Sequence, residues 1–212
     1  MAVVAGPGVA RVAACLFACA VLLSACGDST ASAGQPLRTA DPAHYLVKLS
    51  DLPSPDFTVN TPAHAADAAE LASNNATRAV RLTKDGVQAG AMVRYFRAVD
   101  LATANGPIDV VNTIERFATA AGAGAAYHAD VQDLDAPTGA APISTGGLGD
   151  EAHAVSLVRA ATSGVQAVQI TLEWRVANVV NILVLRGRYG GTRLDDGLVL
   201  AHRTTTRELA GS

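Results

Sequence analysis

Cysteine is nearly absent from this sequence, and its placement excludes two kinds of chemistry. The chain has three cysteines in 212 residues, at positions 15, 19 and 26, and none follows Cys26. The rest of the chain therefore offers neither a disulfide framework nor a thiolate metal site. A domain without these supports must be stabilised by its apolar core, and about 170 residues suffice for one such domain.

Positive charge is also scarce. Lys48 and Lys84 are the only lysines, and 16 basic residues stand against 19 acidic ones. Arginine supplies nearly all the basic residues, a bias typical of a GC-rich genome. A nucleic-acid interface needs a basic patch, so this balance excludes nucleic acid as a partner.

The longest apolar run lies near the N-terminus. Residues 12–23 (VAACLFACAVLL) are wholly apolar and follow Arg11, which is the pattern of a signal peptide. A permanent membrane span needs about 20 apolar residues. Since Arg11 and Gly6-Pro7-Gly8 interrupt any longer run, the sequence favours a signal peptide over a transmembrane helix.

Leu23-Ser24-Ala25-Cys26, at the end of that run, resembles the lipobox of bacterial lipoproteins. The resemblance implies that the Cys26 thiol takes an S-diacylglycerol group, that the chain is cleaved after Ala25, and that the new N-terminus is N-acylated, for example with palmitate. Several acyl chains hold a protein on a membrane durably, whereas one is marginal. We predict a signal peptide over 1–25, a lipidated flexible tether over 26–40 and a single extracytoplasmic domain over 41–212.

The first half of that domain gives mixed signals. Asp41-Pro42 predicts a helix start, residues 57–59 a short strand, residues 63–73 an alanine-rich helix, and residues 92–97 a strand. After the turn residues 105–107, apolar side chains recur at helical spacing and predict a longer helix: Ile108, Val111, Ile114, Phe117, Ala118 and Ala121.

The C-terminal third gives the clearest pattern. Val168, Ile170, Leu172, Trp174 and Val176 alternate with polar residues, so one sheet face is predicted to be apolar and the other wet. The fold class predicted is α+β, an antiparallel sheet meander with helices packed on one face in two layers. The elements predicted here are a loop over 137–149, strands over 153–160, 165–176 and 179–188, turns at 162–164 and 178, and a helix over 194–209.

The order of these elements carries a second resemblance. Gly147–Ala152 (GLGDEA), a hairpin, Trp174–Val180 (WRVANVV) and a closing helix resemble a loose group of actinobacterial envelope lipoproteins. That group is similar in layout to the extracellular sensor domain of mycobacterial membrane serine/threonine kinases. The resemblance covers roughly the last two thirds of the chain, implies a sensor-like binding domain, and brings no catalytic residue. Those kinase domains carry structural disulfides, which this chain cannot form after Cys26.

Residues with catalytic or metal-binding chemistry are scattered in the sequence. The five histidines show no H-x-H or H-x-x-x-H spacing. Asp130, Asp133 and Asp135 lack the glycine and terminal glutamate of an EF-hand loop. The sequence has neither a G-x-S-x-G nor an S-x-x-K motif. We therefore predict no catalytic residue, no metal and no cofactor.

Two aromatic residues are candidate ligand contacts. Trp174 lies in the apolar stripe, and Tyr95 lies between Arg94 and Arg97, which would meet an anionic ligand. The plainer interpretations are an ordinary core position for Trp174 and a solvated strand face for the arginines.

These observations predict a non-enzymatic, lipid-anchored binding or sensing lipoprotein on the outer face of the cell membrane. Its partners would be the membrane, through Cys26, and a small molecule, a cell-wall component or a protein. The alternative is a carrier of hydrophobic or lipid ligands, which requires a large apolar cavity between sheet and helices. An envelope hydrolase is the least supported function.

Overall fold

A computed structural model describes residues 35–160 and 164–211. Cys26 and the signal peptide lie outside the described residues, as does most of the turn predicted at 162–164. The strands and α-helices of the described part are β1 Thr58–Ala66, α1 Ala68–Leu71, α2 Ala76–Lys84, β2 Val87–Phe96, β3 Pro107–Phe117, α3 Ala120–Asp135, β4 Ala140–Ile143, β5 Glu151–Ala160, β6 Gln166–Val176, β7 Val179–Arg188 and α4 Leu194–Ala210. Two short 3₁₀ helices, Pro42–His44 and Leu49–Asp51, precede β1.

The strands form one antiparallel sheet in the order β1-β2-β3-β7-β6-β5-β4. Consecutive strands pair within β1–β3 and within β4–β7, and the two halves join where β3 pairs with β7. Helix α3 carries the chain from the inner strand β3 to the edge strand β4. The α+β class with an antiparallel sheet is confirmed.

One face of the sheet, called here the apolar face, packs against α4 and the segment before β1. Leu172, Trp174 and Leu183 point into this layer and are at most 1% exposed. Tyr45 and Leu200 cover them from the segment before β1 and from α4. The alternation of β6 predicted this face, because every second side chain of a strand points the same way.

The opposite face, called here the polar face, is partly covered by α1, α2 and α3. Leu82, Phe117, Ala126 and Val180 form a second, smaller core there. Gly90 lets α1 approach the sheet, since a Cβ at that position would lie 2.5 Å from the Leu71 side chain. Helices therefore flank both faces of the sheet, and the layer on the polar face is additional to the one predicted.

One predicted helix begins too early, and another is wrong. Residues 63–66 belong to β1, and α1 begins only at Ala68, after Asp67 has capped it by accepting from two backbone N–H groups. Residues 108–117 form β3, not a helix. This strand lies between β2 and β7 and is covered on both faces, so its apolar residues do not alternate and mimic a helical spacing.

Two further local features differ from the sequence prediction. Asp41 does cap a helix, accepting from the Ala43 N–H at 2.9 Å, but the helix is a single 3₁₀ turn. The short strand β4 lies within the segment predicted to be a loop over 137–149.

The described chain is already packed before residue 41. The Arg38 N–H donates to Asn178 Oδ1 at 2.7 Å, and Asn178 Nδ2 donates to the Arg38 carbonyl at 3.2 Å. Ordered packing thus begins at Arg38, inside the segment predicted as tether. No helix among the described residues has both the length and the apolar character to cross a membrane.

Candidate ligand-binding cleft

The polar face holds a cleft of about 760 Å³ between two groups of helices. Residues 71–81, from α1 and α2, line one wall, and residues 130–134, from α3, line the other. Strands β2, β3, β7 and β6 form the floor. The cleft exists because α1–α3 cover only part of this face.

Strand pairing places the floor residues in rows across the sheet. Asp109, Arg186 and Gln169 lie side by side on β3, β7 and β6. Arg186 donates to Asp109 at 2.8 Å and to Gln169 at 2.9 Å, and Arg94 donates to the other oxygen of Asp109 at 2.8 Å. This row is a polar boundary at one end of the cleft.

The next two rows lead away from that boundary. The first of these rows is largely apolar and consists of Val111, Val184 and Thr171. The second row consists of Thr113, Ile182 and Glu173. Glu173 is four positions along β6 from Gln169, which is about 13 Å at the usual rise per residue.

An ion-pair network joins the two walls. Arg78 on α2 donates to Asp130 on α3 at 3.0 Å and to Glu115 on β3 at 2.8 Å. Arg81 binds the same Asp130 and also Asp133, the latter at 2.8 Å. Asp130 is a helical residue of α3 and only 4% exposed. The network therefore holds α2 and α3 at opposite sides of the floor.

Two buried carboxyl groups lie at this end of the cleft. Glu115 is fully buried, and its Oε2 has no hydrogen-bond partner among the described residues. Glu173 is 1% exposed, and its Oε1 likewise has no partner in the part of the chain that the structure describes.

Burial disfavours the charged form of both groups. Burial raises the pKa of Glu115 to about 7, although the neighbouring Arg78 acts to lower it. Burial, reinforced by the charges of Asp130 and Glu115, raises the pKa of Glu173 well above the ordinary value. Neither residue was predicted to be functional from the sequence, because each is one of several polar residues on its strand.

The two aromatic candidates lie on the apolar face and outside the cleft. The Tyr95 hydroxyl donates to the Val47 carbonyl at 2.8 Å, and Trp174 Nε1 donates to Thr205 Oγ1 at 3.0 Å. Both rings are buried in the main core. Arg97, also singled out from the sequence, stacks over the Phe57 ring at 5.5 Å.

The histidines and aspartates form separate pairs. His64 contacts Glu70 at 2.7 Å, His128 contacts Glu151 at 2.9 Å, and His153 contacts Asp135 at 2.9 Å. Among the described residues, no three His, Cys, Asp or Glu side chains are grouped so as to hold a metal ion.

The glycine-rich loop before β5 has a structural role. Leu148 is buried in the core of the apolar face. Gly149 adopts a φ of 62°, and a Cβ there would lie 2.4 Å from the Arg175 carbonyl oxygen. Asp150 then accepts from the Ala177 N–H at 2.8 Å and from Arg175 at 3.2 Å. These contacts fix the loop against the β6–β7 turn.

Comparison with known proteins shows a similarity of structure. No family model matches the sequence, and no curated protein matches it. The structure is similar to the crystal structure of the extracellular domain of PknH from Mycobacterium tuberculosis, with a TM-score of 0.50 and 11% sequence identity. The similarity covers 82% of this chain and 98% of the PknH chain. The described domain therefore shares the fold of that mycobacterial extracellular domain.

Proposed function

We propose that this protein is a lipid-anchored, extracytoplasmic binding or sensing lipoprotein of the bacterial cell envelope, and that the cleft on the polar face is its ligand-binding surface. The observation that carries the proposal is a cleft of about 760 Å³ whose lining includes the buried Glu173, with one carboxyl oxygen that has no hydrogen-bond partner among the described residues. A concave site with a few convergent polar groups is the usual form of a ligand site. The shared fold with an extracellular domain supports the location.

Two features favour binding over the alternatives. A carrier of hydrophobic molecules needs an apolar void, whereas the apolar face is filled by Leu183 and Leu200, which are at most 1% exposed. A hydrolase needs a nucleophile with a nearby base. The lining residues that the structure describes include serine and threonine hydroxyls but no histidine. We propose that the protein acts by binding and not by catalysis.

The binding role is tested by filling the cleft. Thr171 lies on the floor and lines the cleft, so Thr171→Trp places a large ring in the ligand space. The full-length chain, incubated with a cell-envelope extract, is examined by native mass spectrometry. We expect a small-molecule adduct on the wild-type chain that Thr171→Trp loses. Val199→Trp, at an exposed site on α4, should keep the adduct. An adduct retained by the filled cleft, or no adduct at all, would contradict the proposal.

The anchor is tested at Cys26. In a bacterium fed an alkyne-tagged palmitate analogue, the wild-type chain should be labelled and recovered with membranes. The resemblance of residues 23–26 to a lipobox implies that Cys26→Ala abolishes both labelling and cleavage after Ala25. Normal labelling of Cys26→Ala would refute the anchor and leave the binding role to the preceding test.

A further inference from the structure

We propose that the cleft binds its ligand through a protonated amine, which pairs with the carboxyl group of Glu173. This inference rests on the proposed binding function and names the chemical class of the ligand. It depends on which polar groups of the cleft are already paired and which are not.

The arginines of the cleft are committed to acceptors of the protein itself. Arg78 binds Asp130, Glu115 and the Leu71 carbonyl. Arg81 donates to Asp130 and to Asp133 through Nη2, and its buried Nε has no partner among the described residues. An anionic ligand would therefore have to compete with carboxylates that hold these guanidinium groups at hydrogen-bond distance.

Arg186, at the far end of the floor, is committed in the same way. It donates to Asp109 and to Gln169. No arginine that lines the cleft, among the described residues, is without a carboxylate partner.

Glu173, in contrast, has a carboxyl oxygen with no partner among the described residues. Its side chain is almost fully buried, it lines the cleft, and its Oε1 accepts no hydrogen bond from the described residues. Leaving a buried polar group unsatisfied costs about 1–3 kcal/mol, and more for a charged one. A ligand that brings N–H donors to this oxygen would remove that cost.

The charges around Glu173 favour a cation. Four carboxyl groups surround this end of the cleft, whereas the guanidinium groups of Arg78 and Arg81 are the cations facing them. The four carboxyl groups are those of Glu115, Asp130, Asp133 and Glu173.

Other titratable groups face Glu173 from α3 and β5. Burial and, after it, the nearby charge of Glu173 raise the pKa of the Tyr127 hydroxyl on α3. His153, directly opposite on β5, contacts Asp135 at 2.9 Å. Beside it, Glu151 and Arg175 pair with each other at 2.9 Å. Neither pair supplies an unpaired cation, so an added positive charge would be stabilised at Glu173.

Binding of an ammonium group should release a proton. In the free protein, burial favours the neutral carboxyl form of Glu173, since its pKa is raised. When an ammonium group arrives, the carboxyl proton passes to solvent and the two charges pair. Affinity should therefore increase as pH rises, as long as the amine itself stays protonated.

The experiment compares three probes of equal chain length: n-butylammonium, n-butyrate and n-butanol. Each is titrated into the ¹⁵N-labelled full-length chain in non-ionic detergent while amide chemical shifts are recorded. We expect butylammonium to shift the amides of Thr171, Glu173 and Ile182 with a Kd at least tenfold lower than that of butyrate or butanol. Glu173→Gln should weaken butylammonium binding at least tenfold, and Glu70→Gln, at an exposed position, should not change it.

Each result that contradicts the amine inference has its own meaning. If butyrate or butanol shifts the same amides as strongly, the amine inference is wrong and the cleft remains a ligand site. If butylammonium binding is unaffected by Glu173→Gln, or absent, the inference is also wrong. Should Glu173→Gln fail to fold, the wild-type chain decides, because the butylammonium affinity must increase at least threefold between pH 5 and pH 8. A constant affinity would overturn the inference.

Discussion

Helices cover both faces of the sheet, but the two faces bury different kinds of side chain. On the apolar face, leucine, valine and tryptophan side chains pack against α4 with little space between them. On the polar face, Glu115, Asp130 and Glu173 are buried beside two arginines, and the helices leave a cleft open. Burying charge costs free energy, whereas burying apolar surface contributes about 25 cal/mol per Å². The comparison indicates that apolar burial stabilises the domain on one face, where Glu208 is the buried carboxyl group, whereas the other face buries several charged groups around the cleft in which we propose that a ligand binds.

The largest expected effect tests the apolar face at Leu183, which is fully buried on β7. Leu183→Ala should lower the free energy of unfolding by about 3–4 kcal/mol, because it removes apolar contacts and leaves a cavity. Urea denaturation measures the change. Val184→Ala, at the next residue and facing the cleft, is the matched control and should cost about 1 kcal/mol or less. Equal losses at the two positions would abolish the distinction between the faces.

A second prediction concerns the buried Glu208 of α4, whose pKa is raised to about 8 by burial. Below about pH 4.5 the group is protonated in both states, and as pH rises the unfolded chain ionises first, so native stability should decrease up to about pH 8. Glu208→Gln should remove this penalty and stabilise the protein at pH 8 by on the order of 3 kcal/mol. The gain should vanish at pH 4. The free energy of unfolding of the wild-type chain and of Glu208→Gln is measured by denaturation from pH 4 to pH 8. If the prediction is wrong, the two values will change with pH in parallel.

The network between α2 and α3 gives a smaller expected effect. Arg78→Met removes one partner of Asp130 and the partner of Glu115, and should cost about 2 kcal/mol, since Arg81 still neutralises Asp130. Glu115→Gln in the same chain should restore part of the loss, because no unpaired carboxylate then remains beneath α2. A double-mutant cycle by urea denaturation measures the coupling, and strict additivity would contradict a shared network.

The smallest effect is expected at Tyr95. Tyr95→Phe removes the hydrogen bond to the Val47 carbonyl and should lower the free energy of unfolding by about 1 kcal/mol. Because Tyr95 lies on the apolar face, the butylammonium affinity of the cleft should be unchanged. A variant that kept its stability but lost affinity would reassign Tyr95 to the ligand site.

The sequence predicted the parts of the fold whose two faces differ. Strand β6 alternates because the helices cover its two sides unequally, and α4 has one apolar stripe with Asp195 near its start and Arg207 near its end. Strand β3 was predicted as a helix because it is buried on both faces. Its run of β-branched residues from Ile108 to Ile114 was the better indicator.

The cleft was beyond sequence reasoning for a different reason. Arg78 and Asp130 are 52 residues apart, and Glu173 is a further 43 residues along the chain. Nothing in their local sequence signals that they meet, since the meeting depends on which strands are neighbours. Of the candidate ligand contacts predicted from the sequence, Tyr95 and Trp174 are core residues. Burying an aromatic ring stabilises the fold, whereas burying a glutamate destabilises it unless its carboxyl group finds a hydrogen-bond donor or a cation.

The pairing of β3 with β7 has a consequence for the lifetime of the folded state. These strands are neighbours although about seventy residues of chain lie between their paired positions, such as Asn112 and Leu183. Pairings of this kind form slowly, because the entropy of closing a long loop is lost before the contacts between the strands can stabilise it. The cleft floor crosses this seam, with β2 and β3 on one side and β7 and β6 on the other. A bound ligand would join the two halves and slow their separation, so occupancy should be detectable as slower unfolding.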